Sequence, residues 1–162
     1  MATNLPLPTR SDGETEGAVP SPLPEGVSVT LWLNELTAAA GGSRLARIQD
    51  RVAALDDAGV ETTVREWPAR ATDPGDERDR AAIDAFDHYR AVAGQQDVRL
   101  DPFFRCRTTD DRGRAVVFPA ACLVLERGAE LTGLYPCRID GEPVTVEDGL
   151  DAIGTGTAEN LR

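Results

Sequence analysis

The stretch VSVTLWLNELTAAAGGSRLARIQDRVAALDDAGVETTVREW, residues 27–67, decides the fold class. Val27, Val29, Leu31 and Leu33 alternate with Ser28, Thr30, Trp32 and Asn34, the period of two that marks a strand with unlike faces. Ala38–Gly42 reads as a loop, and Ser43 is placed to cap the next element. From Ser43 to Ala58 the period changes. Leu45, Ile48, Val52 and Leu55 recur at spacings of three and four, so they form one apolar stripe along a helix, with Arg44, Arg47, Asp50, Arg51 and Asp56 outside it. Gly59 suits the position after the helix, Val60–Trp67 reads as a second strand, and Pro68 stops it. Strand, helix and strand in this order form a βαβ unit, which predicts parallel neighbours joined by a right-handed crossover.

Outward from this unit, Thr72–Asp76 reads as a turn-rich link. A second helix runs from Glu77 to Ala93, with Ala82, Phe86, Tyr89 and Ala93 on one face and Gly94 at its end. Downstream the pattern belongs to strands: Phe103–Thr109, a turn at Asp110–Gly113, Arg114–Leu125, a turn at Glu126–Ala129, and Glu130–Tyr135, an antiparallel meander. Thr145-Val146-Glu147-Asp148 carries the cap and acidic third residue of a helix start, and a short helix runs through Leu150 and Ile153. The expected fold is α/β (α+β): a βαβ unit, a second helix, a β-meander and a C-terminal helix, in a single domain over 27–154. Residues 1–26 hold five of the eleven prolines among Ser, Thr, Gly and Glu, too little apolar surface to offset ordering, and are expected to be a disordered tail. Residues 155–162 are expected to fray.

Composition bounds the habitat. The 28 acidic residues face 17 basic ones, all Arg with no Lys, for a net charge of −11 over 162 residues. At molar salt the screening length falls to about 3 Å, so the self-repulsion of such a chain is largely removed. That balance is expected of a protein working in a high-salt cytoplasm. It also makes the acidic pairs Asp56-Asp57, Asp110-Asp111 and Glu147-Asp148 surface dressing rather than acid/base dyads. No apolar run approaches the roughly 18 residues needed to cross a bilayer, and the N-terminus lacks the apolar region of a signal peptide, so a cytoplasmic location is expected.

Chemistry-bearing residues are few. Cys106, Cys122 and Cys137 have neither a disulfide framework's spacing nor a zinc site's. Cys137 is placed to leave a strand beside Arg138, and a hairpin turned at 126–129 brings Cys122 near it, so a reversible pairing of the two is one expectation. His88 is the single histidine, on the second helix, and reads as a solvated surface residue. Gly41-Gly42-Ser43 lacks the pattern of a phosphate-binding loop. No catalytic, cofactor-binding or metal-ligating residue is expected. Arg44, Arg47 and Arg51 share one side of the first helix and form the candidate basic face, diluted by Asp50 and Asp56-Asp57.

Two resemblances add to this. The element order, with Phe118-Pro119 just before Ala120–Leu125, the hairpin and the last helix, resembles the thioredoxin-like fold. That resemblance implies a cis proline at 119 and a redox centre at the start of the first helix. The chain has Asn34–Ser43 there without a cysteine, so a dithiol mechanism is excluded at that place. Separately, Asp101-Pro102-Phe103-Phe104, Phe118-Pro119-Ala120-Ala121-Cys122-Leu123, Tyr135-Pro136-Cys137 and Thr145–Leu150 resemble a group of short haloarchaeal proteins, some carrying a helix-turn-helix label. This implies a transcription-related role, with DNA or a protein as partner. The first two long helices are separated by a strand, which is awkward for that label. Three functions are expected, in this order: a non-catalytic regulatory or interaction domain, transcription-associated by resemblance; a degenerate thioredoxin-like protein using a single thiol; and a small-molecule sensor built on the loop at Pro119.

Overall fold

The computed structural model describes residues 26–109 and 113–161. The Pro-rich segment 1–25 and most of the turn at 110–113 lie outside the described residues. Strand β1 (Val27–Asn34), helices α1 (Glu35–Ala40) and α2 (Ser43–Asp57) and strand β2 (Glu61–Trp67) build the unit read from the sequence. β1 and β2 pair in parallel from Ser28↔Glu61 to Asn34↔Trp67. The remaining elements are β3 (Arg70–Asp73), α3 (Glu77–Gln95), β4 (Val98–Arg99), β5 (Arg105–Thr108), β6 (Arg114–Val117), β7 (Ala121–Arg127), β8 (Glu130–Tyr135), β9 (Cys137–Ile139), β10 (Glu142–Val144) and α4 (Val146–Thr155).

The mixed α/β class holds, but the strands divide among three sheets rather than continuing one meander. The central sheet has the order β2-β1-β7-β8, with β7 antiparallel to both β1 and β8. The others are β3-β6-β5 and β10-β9-β4. The run expected as one strand, Arg114–Leu125, breaks at Phe118–Ala120, so β6 and β7 serve different sheets. Pro119 lacks the N–H that would continue a ladder. The expected turn at Thr72–Asp76 begins as strand instead, because Arg70–Asp73 finds β6 as a partner.

Two cores flank the central sheet. One face of β1 carries Val29, Leu31 and Leu33 against Leu45, Ile48 and Val52 of α2 and Leu150 and Ile153 of α4. The other carries Trp32 into a cluster with Trp67, Phe86, Phe104 and Phe118 under α3. The capping box at α4 forms as read, Thr145 and Asp148 each accepting the other's backbone N–H. α4 lies so close to β8 that a Cβ on Gly149 would sit 2.6 Å from the Tyr135 ring. The segment after α4 does not fray. Ala158 and Leu161 are buried, Tyr135 Oη donates to the Ala158 carbonyl at 2.5 Å, and the Leu161 N–H donates to Thr132 O at 2.9 Å. Apolar residues at 158 and 161, too few to show a period, are what hold it.

Among the described residues no helix is long and apolar enough to cross a membrane.

Candidate nucleic-acid interface and an aromatic cavity

The Ala38–Gly42 stretch expected as a loop is mostly helix. Asn34 starts α1 by accepting the Leu36 N–H at 2.9 Å, while its own amide donates to Phe118 O at 3.2 Å. This buried side chain therefore ties the start of α1 to the loop that enters β7. α1 stops at Gly41 and Gly42, whose φ angles of 74° and 120° lie where side-chain-bearing residues are strained. Two consecutive helices joined by a tight turn result. Ser43 is not the cap: Gly42 holds that position with no side-chain bond, and Ser43 is the exposed first residue of α2.

The candidate basic face of α2 is largely occupied by α4. Arg44 donates twice to Glu147, at 2.5 and 2.8 Å, and Arg51 donates to Asp151 at 2.7 Å. The Arg44 hydrogen bonds hold the Glu147 carboxyl below its usual range. Arg47 has no carboxylate partner among the described residues. The pairs are solvent-exposed, so each contributes at most about 1 kcal/mol. A lowered carboxylate pKa stabilises the fold above the ordinary Glu range and loses that effect as pH falls through the folded value. Guanidinium denaturation across an acid pH series is thus expected to show a slightly flatter pH dependence for Glu147→Gln, by less than about 1 kcal/mol.

A different set of arginines has no carboxylate partner among the described residues. In the sheet β3-β6-β5, Arg70 pairs with Val117 and Val117 with Arg105; two residues along, Thr72 pairs with Ala115 and Ala115 with Arg107. Directly paired residues and their i+2 neighbours share a face, so these six form one surface. The opposite face is mostly buried: Ala71 and Val116 enter the core and Arg114 pairs with Asp87 of α3, although Cys106 there is exposed and Ala115 on the arginine side is buried. The outer face carries exposed Arg70, Arg105 and Arg107 around Val117, itself 37% exposed, and its strand positions hold no carboxylate. In a chain with eleven more acids than bases, such a face is an exception. The Arg105-x-Arg107 alternation is visible in sequence; that Arg70 joins it depends on a pairing across more than thirty residues.

The thiol candidates are inert. Cys122 and Cys137 are fully buried, and Cys137 opens β9 rather than leaving into a loop. Burial pushes the Cys137 thiol up to about 11, partly offset by the Asn160 amide 3.5 Å away, and also pushes the Cys122 thiol well above its ordinary range. Thiolate is the reacting form, so both are unreactive near neutral pH. Alkylation of the native protein at neutral pH is expected to modify one thiol of three, the exposed Cys106. Mass spectrometry after diamide treatment is expected to show no two-proton loss from a Cys122–Cys137 bond.

Pro119 does not carry the expected cis bond. Among the described residues the cis bonds are Asp73–Pro74, Asp101–Pro102 and Tyr135–Pro136. The cavity at the C-terminal ends of β1 and β2 is lined by Trp32, Trp67, Tyr89, Arg65, Arg78 and His88 among others, and not by Pro119. His88, read as merely solvated, is exposed on its rim.

A family described as a helix-turn-helix domain matches residues 22–158, nearly the whole chain. The chain belongs to that family. No curated protein and no solved structure matches it. In this helix-turn-helix domain the two helices joined by Gly41-Gly42 fall inside the match, as do the arginine face and the cavity.

Proposed function

We propose that this helix-turn-helix domain is a non-catalytic, transcription-associated regulatory domain that binds DNA, with the face of Arg70, Arg105 and Arg107 as its contact to the phosphate backbone. The family match over residues 22–158 carries the reading. α2 is a poor candidate for insertion into a major groove, since its apolar stripe is packed on the central sheet and two of its three arginines are held by α4. The sheet face suits phosphates better, because guanidinium forks donate in pairs to oxyanions and no carboxylate in those strand positions opposes them. Contacts of this kind position a protein on DNA without reading sequence, so specificity comes from elsewhere in the domain or from a partner.

The Lys-free, acidic composition supports action at molar salt in a haloarchaeal cytoplasm, where local charge outweighs net charge because the field is screened. The central order β2-β1-β7-β8 with a C-terminal helix supports the thioredoxin-like reading of the fold. Buried, protonated thiols argue against retained redox chemistry. The reading is tested by fluorescence anisotropy with labelled genomic duplex fragments over a KCl series in which circular dichroism shows the protein folded. Saturable binding that weakens with salt is expected. No binding at any salt in that range overturns it.

A further inference from the structure

The cavity beside α3 stands apart from the arginine face and shares none of its three arginines. It has a volume of about 340 Å³, within the range of small-molecule sites. It opens at the carboxyl ends of the parallel strands β1 and β2, where α/β sheets leave room for ligands because the chain turns away there.

Its walls divide by chemistry, with two arginines against one carboxylate, Glu66, and an apolar side. On α3, Ala81 and Ala85 lie one turn apart and present only methyl groups, which leaves an apolar slot. Facing it, the Arg65 guanidinium lies 4.5 Å from the centre of the Trp32 ring, a cation–π contact that favours this placement. Arg78 reaches the same space and is paired at 2.9 Å with Glu35 of α1. Trp67 is 1% exposed and lines the cavity, and its indole N–H has no acceptor among the described residues. Trp32, in contrast, donates its indole N–H to Tyr89 Oη at 3.1 Å. A buried donor without a partner is costly.

We infer that this cavity binds a small organic carboxylate with an apolar body, its oxyanion on Arg65 and Arg78 and its body against the alanines of α3. The size admits one ring or a short branched chain. Glu35 is the internal competitor, since it is ion-paired with Arg78. A bound carboxylate takes that arginine from a residue of α1, so occupancy is felt at the helix preceding the Gly41-Gly42 turn.

The chain supplies its own reporter, because both of its tryptophans line the cavity. Benzoate titrated into the full chain in molar KCl is expected to change tryptophan fluorescence saturably. Benzamide keeps the ring without the charge, and inorganic phosphate keeps charge without the ring; both should bind at least about tenfold more weakly, the value of one charge-assisted hydrogen bond. Arg78→Gln should weaken benzoate by a similar factor, Glu35→Gln should strengthen it, and Arg47→Gln should leave it unchanged. Arg78 and Arg47 are exposed and Glu35 is half-buried, and circular dichroism checks that each variant is folded. Absence of a saturable benzoate response overturns the inference. So does equal binding of benzamide or phosphate, or an Arg78→Gln variant that binds benzoate as the parent does.

Discussion

Trp67→Ala is expected to lower the unfolding free energy by about 3–5 kcal/mol, the range for removing a large aromatic side chain from a packed core. Trp67 ends β2 and is the hub of the second core. It stacks on Trp32 with ring centres 4.5 Å apart and planes 13° from parallel, lies 4.5 Å from Phe118, and meets Phe104 edge-on at 5.7 Å. Those partners belong to β1, to the loop before β7 and to the segment before β5, so truncation opens a void shared by three parts of the chain. Trp32 is held in the central sheet, while Phe104 and Phe118 flank strands of the sheet β3-β6-β5. Trp67→Phe should cost much less. It retains most of the contact area and discards an indole N–H that has no acceptor among the described residues. Guanidinium denaturation in molar KCl measures both, and Val64→Thr on the exposed part of β2 serves as a near-neutral control. A Trp67→Ala midpoint equal to that of the control would show that the aromatic cluster is not a cooperative core.

The second large effect is on DNA. The triple variant Arg70→Gln, Arg105→Gln, Arg107→Gln is expected to reduce the slope of log affinity against log salt by about 2.7, at roughly 0.9 for each phosphate no longer neutralised. Anisotropy titrations of one duplex over a KCl series give the slope directly. The reduction should be the same for duplexes of different sequence, since backbone contacts carry no base information. The companion triple variant Arg44→Gln, Arg47→Gln, Arg51→Gln should change the slope by about 0.9 at most, because Arg44 and Arg51 already neutralise Glu147 and Asp151. If the two variants exchange these outcomes, the α2 face is the DNA contact and α4 must move aside on binding.

Binding at the cavity and binding on the arginine face involve different elements, yet they share α3. Arg78 at its N-terminal end lines the cavity, and Asp87 further along pairs with Arg114 of β6, the middle strand of the arginine face. α3 also packs directly on β3 of that sheet. Whether carboxylate binding changes DNA affinity is read by repeating the anisotropy series with benzoate present.

Elements whose stability is local were legible in the chain alone. The 27–34 alternation, the Leu45–Ile48–Val52–Leu55 stripe, the α3 face of Ala82, Phe86 and Tyr89, and the Thr145–Asp148 capping box all appear where the periods placed them, because backbone geometry imposes those periods within a few residues. α1 is not legible in the chain, since six residues are too short to show a helical period and its start depends on Asn34 being held by Phe118 O far along the sequence. Only the tertiary structure decided the functional surfaces. It committed Arg44 and Arg51 to α4, about a hundred residues away, and it gathered Arg70, Arg105 and Arg107 through register. It also sealed Cys122 and Cys137 in apolar surroundings and set Arg65 over Trp32 across a parallel pair. The reason is physical: a charge or a thiol takes its chemistry from burial and from its neighbours, and both are fixed by contacts between segments that the local pattern of the chain does not encode.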